Sequence, residues 1–268
     1  MSYYKQQIRA FKEVLSALKI KSRVIFALVL RETRTTFGNS SLGYIWAILT
    51  PALGVALLVL VFTFASRQPP YGQSLALFFA TGFLTYDFYN KLANSLMAAI
   101  DANRALLLYP VVTPTAVICA RFILISVTYL LIMFIFYGSL VIFGLADLPA
   151  YPIQLVVSFM AISLLGLGVG VLNCSMVAFW DSWRQIFQII NRPVFFISGI
   201  FFIPSLLSDR AIDYLKWNPV LHLVEWVRSS YYSSYDSRVL DKVYVLSLAL
   251  ILIALGLLGE RYFRSKRS

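Results

Sequence analysis

Six long stretches without a charged side chain constrain this chain more than any other feature. They cover residues 35–66, 68–86, 122–146, 148–180, 193–208 and 243–259. A helix needs about 20 apolar residues to cross the hydrocarbon core of a bilayer. The second window is long enough if its helix continues past Asp87 to about Leu96, the fifth is the shortest, and the sixth suffices with its flanks. The windows predict an all-α polytopic membrane protein with six transmembrane helices.

Composition excludes the soluble alternatives. Hydrophobic residues make up 60% of the 268 residues and charged residues only 13%, whereas soluble domains carry about 25% charged residues. Two cysteines are too few for a disulfide-stapled secreted module. The net charge of +11 does not indicate nucleic-acid binding, because the basic residues lie at the ends of apolar runs and not on one polar face.

The distribution of Lys and Arg predicts the orientation. Six spans place both termini on the same side, and that side receives most of the 23 basic residues. The exceptions are Arg67, Arg210, Lys216, Arg228, Arg238 and Lys242. Cytoplasmic segments are the ones enriched in Lys and Arg. Both termini are therefore predicted to be cytoplasmic.

The N-terminal segment, residues 1–34, precedes the transmembrane domain of residues 35–268. Ile8, Phe11, Leu15 and Leu18 recur at helical spacing with basic residues between them. This pattern predicts an amphipathic helix on the cytoplasmic membrane face, with packing on a partner protein as the alternative. No apolar core followed by a cleavage site is visible, so no signal peptide is predicted.

Several chemistries have no residues to support them. The sequence contains no Gly-x4-Gly-Lys-Ser/Thr loop for a nucleotide, and His222 is its only histidine, which argues against a multi-histidine metal site. The apolar spans hold almost no ionisable side chain, which disfavours an ion-coupled transporter. We therefore expect no cofactor in this chain, and a transporter of this kind needs an external motor.

The segment between the fifth and sixth windows is too apolar for a plain loop. Its core, residues 214–232, carries two tryptophans among many aliphatic residues, and Pro204 and Pro219 break the helical pattern. It predicts a re-entrant helical pair at about residues 204–232, exposed to the periplasm. A crossing here would place the basic C-terminal tail outside, against the positive-inside bias.

Three motifs carry a resemblance to a known family. The first is RETRTTFG at 31–38, followed by LGYIWA at 42–47 and Pro51; the second is WNPVLH at 217–222; the third, weaker, is IDAN at 100–103. Together they resemble permeases of type-2 ATP-binding-cassette exporters, most of all the capsular-polysaccharide branch.

The resemblance implies a permease and not an enzyme. It implies a second copy of this chain, separate ATPase subunits that hold ATP and magnesium, and a lipid-linked glycan moved across the bacterial inner membrane. It also implies a periplasmic adaptor and an outer-membrane channel. The alternatives are export of another lipid-linked glycan, such as O-antigen or teichoic acid, and a membrane enzyme acting on lipid-linked sugars.

The basic pair before span one is a candidate substrate site. Arg31 and Arg34 are three residues apart and share one helix face. Guanidinium groups suit the phosphates and carboxylates of an acidic glycan. The alternative is membrane anchoring together with an Arg–Glu pair involving Glu32.

Aromatic residues offer a second class of substrate contact, because sugars stack on rings. The candidates are Tyr44, Trp46, Tyr86, Trp217 and Trp226. The alternative is that rings near span ends form the interfacial aromatic belt.

A third candidate is the contact with the ATPase. Residues 98–109 are predicted to form a short cytoplasmic helix that docks in a groove of that partner. The residues proposed for this coupling are Asp101, Asn103, Arg104 and Leu107.

A polar cluster is expected in the re-entrant segment, where Glu225 and Arg228 are three residues apart and His222 lies on a similar face. A satisfied cluster is the favoured interpretation, but His222 and Glu225 are the only acid/base candidates that an enzyme could use.

Overall fold

The computed structural model describes residues 2–38 and 41–267, and it describes side chains within them except at 2–18, 37, 41, 42, 44 and 263–267. The described residues form helices joined by short loops, without a β-strand. The all-helical class predicted from the sequence is thereby confirmed. The predicted amphipathic face from Ile8 to Leu18 lies outside the described side chains.

Ten α-helices follow one another along the described chain. They are α1 (Ser2–Phe37), α2 (Ser41–Phe64), α3 (Leu75–Met97), α4 (Ala99–Ala102), α5 (Pro114–Ile142), α6 (Pro152–Phe179), α7 (Trp183–Ile197), α8 (Asp209–Leu215), α9 (Pro219–Tyr231) and α10 (Lys242–Arg267). Two 3-10 turns, Leu106–Leu108 and Pro204–Leu206, interrupt the longer connections.

Within the described part of the chain, four helices are long and apolar enough to cross a membrane. They contain the segments Ile45–Phe64, Pro114–Ile142, Pro152–Phe179 and Lys242–Tyr262. These segments overlap the first, third, fourth and sixth of the windows described above. The chain is therefore a polytopic membrane protein, as the sequence predicts.

Helix α3 corresponds to the second window but is shifted towards the C-terminus. The window begins at residue 68, whereas α3 begins at Leu75, because two prolines and Gly72, at a φ of +70°, form a loop first. Ser74 caps the helix by accepting a hydrogen bond from the Leu77 backbone N–H. The helix then continues past Asp87 to Met97, as expected, and most of its side chains are buried.

Helix α7 differs from the predicted fifth span of residues 193–208. It begins ten residues earlier, at Trp183, and ends at Ile197. Gly199, at a φ of +75°, and the 3-10 turn at Pro204 prevent its continuation. With 15 residues it is about 22 Å long, less than the roughly 30 Å of a hydrocarbon core.

The predicted helix at 98–109 is also wrong in form. The structure contains the four residues of α4 and a separate 3-10 turn in place of one continuous helix. Asn103 causes the break, because its side-chain amide donates to the Ala99 carbonyl and its own carbonyl accepts from the Leu106 and Leu107 N–H groups. Asparagine favours such turns over helix interiors.

Glycines set the packing of α6 in the centre of the molecule. A Cβ atom on Gly166 or Gly170 would lie 2.8 or 2.7 Å from a leucine side chain of α3, and one on Gly168 would lie 2.8 Å from the Ala249 carbonyl of α10. The small residues therefore allow α6 to approach both neighbours closely.

Candidate functional sites at the two ends of the helix bundle

One end of the bundle, here called the proximal end, is where α1 and α3 finish, α4 lies, and α5 and α7 begin. Arg31 in α1 donates a hydrogen bond to the side-chain carbonyl of Asn103, just after α4. Arg31 and Arg34 are both exposed, and neither forms an ion pair with a carboxylate among the described residues. Both residues are therefore accessible at this end of the molecule.

Glu32 does not pair with either of these arginines. Its carboxylate forms an ion pair with Arg121 of α5, and Arg121 also donates to the Ser95 carbonyl of α3 at 3.0 Å. Glu32 is 5% exposed. This buried pair attaches α1 to α3 and α5, so the Arg–Glu pair within α1 that was part of the alternative interpretation does not form.

Asp101 connects α4 to α7. Its carboxylate pairs with Arg184 at the start of α7 and with Arg104 at 2.7 Å. These residues border an open cavity of about 470 Å³ that Cys174 and Asp181 also line. Asp101 and Arg104 are among the residues predicted from the sequence, whereas Arg184, whose partner lies 83 positions away, is not.

The other two predicted coupling residues are less accessible. Asn103 is 2% exposed and Leu107 packs against the core. The surface next to them is formed instead by three apolar residues, Leu108, Tyr109 and Val111, which are 84%, 64% and 60% exposed. An exposed apolar surface therefore lies one to four residues after Leu107.

The opposite, distal end is where the loops between α2 and α3 and between α5 and α6 meet the end of α9. Arg228 of α9 is fully buried near it. Its guanidinium donates to the carbonyls of Phe202, at 3.1 Å, and Ile200, at 3.4 Å, and lies 4.0 Å from the centre of the Phe78 ring. The arginine thus holds the extended segment after α7 against α3.

Glu225 is the anion of the same cluster. It lies 3.8 Å from Arg228 and accepts hydrogen bonds of 2.6 Å from Tyr235 and from Ser237. Burial, and then the charge of Glu225, raise the pKa of the Tyr235 hydroxyl well above its usual range. Tyr235 therefore stays protonated and donates to the carboxylate.

His222 has its own partners. Its Nδ1 accepts a 2.9 Å hydrogen bond from the Asp241 backbone N–H, so the proton must lie on Nε2, which contacts the Lys216 carbonyl at 2.8 Å. His222 is 2% exposed and Glu225 is 1% exposed. The two side chains are buried, and each is engaged by other partners. This arrangement favours the structural role over the acid/base pair that an enzyme would need.

The predicted aromatic contacts divide by accessibility. Trp46 and Trp217 are 58% and 70% exposed, so their side chains are accessible. Trp226 is only 3% exposed beneath the Lys242 ammonium, which lies 5.1 Å from the ring, so its ring is closed to a substrate, contrary to the prediction. Tyr86 is buried and donates to the Asn191 carbonyl at 3.1 Å. Tyr44 lies outside the described side chains.

A cavity of about 1,080 Å³ opens at the distal end and was not anticipated. Tyr71 lies on its wall, with its ring centre 5.1 Å from that of Tyr232 and its hydroxyl 2.9 Å from the Ser234 hydroxyl. Arg67 and Asp147 add charge to the same wall. The only signal in the sequence was the turn-rich segment at 68–74.

Comparison with known proteins decides the family. The ABC-2 type transporter profile matches residues 23–232, most of the chain. The chain belongs to the ABC-2 type transporter family. The resemblance predicted from the motifs at 31–51 and 217–222 is confirmed, and the protein is a transport permease.

Relatives in this family match over almost their whole length. The polysialic acid transport protein KpsM of Escherichia coli is 28% identical over 246 residues, covering 90% of this chain and 94% of the relative. The capsule polysaccharide export inner-membrane protein CtrC of Neisseria meningitidis serogroup A is 27% identical, covering 91% and 92%. The O-antigen export system permease protein RfbA of Myxococcus xanthus is 24% identical, covering 91% and 92%.

Proposed function

We propose that this chain is the membrane subunit of an ATP-driven exporter that moves lipid-linked capsular polysaccharide across the bacterial inner membrane. The observation that carries the proposal is the full-length match to capsule-export permeases, KpsM and CtrC among them. Two copies form the permease, and separate ATPase subunits bind ATP and magnesium and hydrolyse the ATP. A periplasmic adaptor and an outer-membrane channel continue the path.

Deletion and purification test this function together. Deleting the gene in its own host should remove the surface polymer and leave undecorated cells with polymer inside. The wild-type chain purified from the same host should bring an ATPase with it. Modification of a lipid-linked sugar by the lone chain would instead support the enzyme. The RfbA relative favours O-antigen as the second candidate cargo, and analysis of the polymer lost on deletion distinguishes the two.

The proposed topology has six crossings and both termini in the cytoplasm, so the proximal end faces the ATPase. In this arrangement α7 and the extended segment after it make the fifth crossing, and α8 and α9 form the re-entrant pair. Single cysteines at Ser208 and Asp236, both exposed, should react with an impermeant thiol reagent from the periplasm. Labelling of Asp236→Cys from the cytoplasm alone would show that this segment crosses the membrane.

Contact with the ATPase is proposed for the exposed apolar residues that follow α4. A cysteine at Leu108, 84% exposed, should form a crosslink with the ATPase. A cysteine at the buried Asn103 should not, since its side chain faces α1 and α4. Failure of Leu108→Cys to crosslink in an assembled complex would contradict this docking surface.

Loading of the substrate is proposed for Arg31 and Arg34, because both are exposed at the proximal end without a carboxylate partner among the described residues. Replacing both with glutamate should abolish export while membrane insertion and ATPase association persist. The matched control is Arg23→Glu, an exposed arginine earlier in the same helix α1. Normal export by the double variant would reduce the pair to membrane anchoring.

A further inference from the structure

A row of polar side chains lies between α3 and α7. Tyr86, Asn90 and Asn94 are spaced four residues apart and therefore share one face of α3. Gln188, Asn191 and Arg192 of α7 lie opposite them. These six residues line a cavity of about 270 Å³, and all six are polar.

The amides of this row, here called the amide ladder (Asn90, Asn94, Gln188 and Asn191), are only partly used within the chain. The Asn90 side-chain oxygen accepts from the Asn94 amide at 2.6 Å and from the Asn191 amide at 2.7 Å. The Asn90 amide nitrogen, the Asn94 side-chain oxygen and the Gln188 amide have no partner among the described residues. The cavity therefore exposes free donors and acceptors together.

Two contacts give the depth of the ladder. Arg121 of α5 donates to the Ser95 carbonyl of α3, and Tyr129 donates to Asp87 at 2.7 Å. Asn90 and Asn94 lie between these two levels, beside the stretch of α5 from residue 121 to 129. That stretch belongs to α5, which is long and apolar enough to cross a membrane, and α5 exposes Ile123 and Val127 there.

Hydrocarbon cannot hydrogen-bond to amides at this depth, so polar side chains inside a membrane face water, protein or a polar ligand. The exposed guanidinium of Arg192 at the edge of the cavity adds a positive charge that lipid tails would not solvate. The α3–α7 face is therefore unsuited to lipid. It is suited to a hydrated polymer that carries hydroxyl and carboxylate groups.

We propose that the amide ladder lines the inward half of the polysaccharide path and binds the passing chain through its hydroxyl groups, with Arg192 attracting acidic sugars. This inference rests on the proposed export function. A primary amide donates and accepts, so it can bind hydroxyls in any register. A polymer that slides needs such contacts at many weak sites, because tight binding at one site would stop it.

Water access is the first test. In a Cys119→Ala/Cys174→Ala background, single cysteines replace Asn90 and Asn94, with Val127→Cys as the lipid-facing control at matched depth. The chain, assembled with its ATPase in lipid nanodiscs, is treated with a charged methanethiosulfonate, which reacts with thiolates in water. Ladder cysteines should react at least tenfold faster than the control. Equal rates would overturn the proposal, as would disulfide-linked dimers without labelling, because the ladder would then be a seam between two copies.

Export in the native host is the second test. Asn90→Leu/Asn94→Leu should lower surface polymer more than tenfold, and Asn90→Ser/Asn94→Ser should retain part of it. Thr128→Val is the control, since that hydroxyl bonds only the Leu124 carbonyl of its own helix. If the double leucine variant fails to assemble with the ATPase, Gln188→Leu takes its place, because the exposed Gln188 side chain holds no partner among the described residues.

Failure of the proposed export function and failure of the ladder proposal give different experimental results. If gene deletion leaves the surface polymer unchanged, the proposed export function is wrong. The labelling rates still show whether the ladder is accessible to water. If deletion removes the polymer but the leucine variants export at the wild-type rate, the ladder takes no part in transport and this inference is overturned.

Discussion

Arg228→Met should destabilise the protein more than most single changes. The guanidinium is fully buried and donates to two backbone carbonyls, at Phe202 and Ile200. Hydrogen bonds to a charged group contribute about 1.5–3 kcal/mol each, and a desolvated cation over a ring about 2 kcal/mol. Methionine recovers part of this stabilisation through apolar contacts. Because Glu225 also loses its nearest cation, we expect a net loss of about 3–5 kcal/mol in the free energy of unfolding.

Reversible unfolding in mixed micelles, followed by tryptophan fluorescence, measures this loss. Arg238→Met is the matched control, because that arginine is exposed, and it should change the unfolding free energy by less than about 0.5 kcal/mol. Arg228→Met combined with Glu225→Gln should be more stable than Arg228→Met alone, since glutamine carries no buried charge and still accepts from Tyr235. A loss below about 1 kcal/mol for Arg228→Met would refute the buried ion cluster.

Three further changes test other contacts. Gly170→Ala should lower the free energy of unfolding by about 1–3 kcal/mol, because its Cβ would lie 2.7 Å from a leucine of α3. Gly138→Ala, whose Cβ would have nothing within 4 Å, should not destabilise the protein. Thermal unfolding of both variants checks this difference. Leu108→Asp should weaken ATPase association at least tenfold in a pull-down titration, because it places a charge on the exposed apolar surface. Tyr71→Phe should lower the free energy of unfolding by less than about 1 kcal/mol, since the hydrogen bond between Tyr71 and Ser234 is exposed. Tyr71→Ala should lower it by about 1–3 kcal/mol more in the same unfolding assay, because this change removes two ring contacts.

Hydropathy predicted most of the spans because the polarity of each residue can be read directly from the sequence. A stretch of about 20 apolar residues must be helical in lipid, where every backbone N–H and C=O needs a partner within the segment. The windows at 122–146 and 148–180 therefore predicted α5 and α6. The fifth window misplaced its helix for the same reason: Arg184 and Arg192 lie inside α7, and a search for uncharged stretches excludes the ten residues of this helix that precede Pro193.

Short-range geometry explains the second kind of error. Residues 98–109 have the composition of a helix, but the Asn103 side chain bonds back to the Ala99 carbonyl and stops α4 after four residues. Composition does not distinguish an asparagine that points to solvent from one that closes a turn. The apolar surface consequently lies at Leu108 and beyond, not at the residues chosen for coupling.

By itself, the sequence determined the membrane class, the helical secondary structure and the family, because these depend on local composition and on motifs of a few residues. Only the tertiary structure decided the partners of the charged and polar groups. Glu32 pairs with Arg121, 89 positions away, and Asn90 meets Asn191, 101 positions away. Such pairs depend on how each helix is rotated about its axis, and that rotation is fixed by packing between helices distant in the chain, such as the close approach of α6 at Gly168.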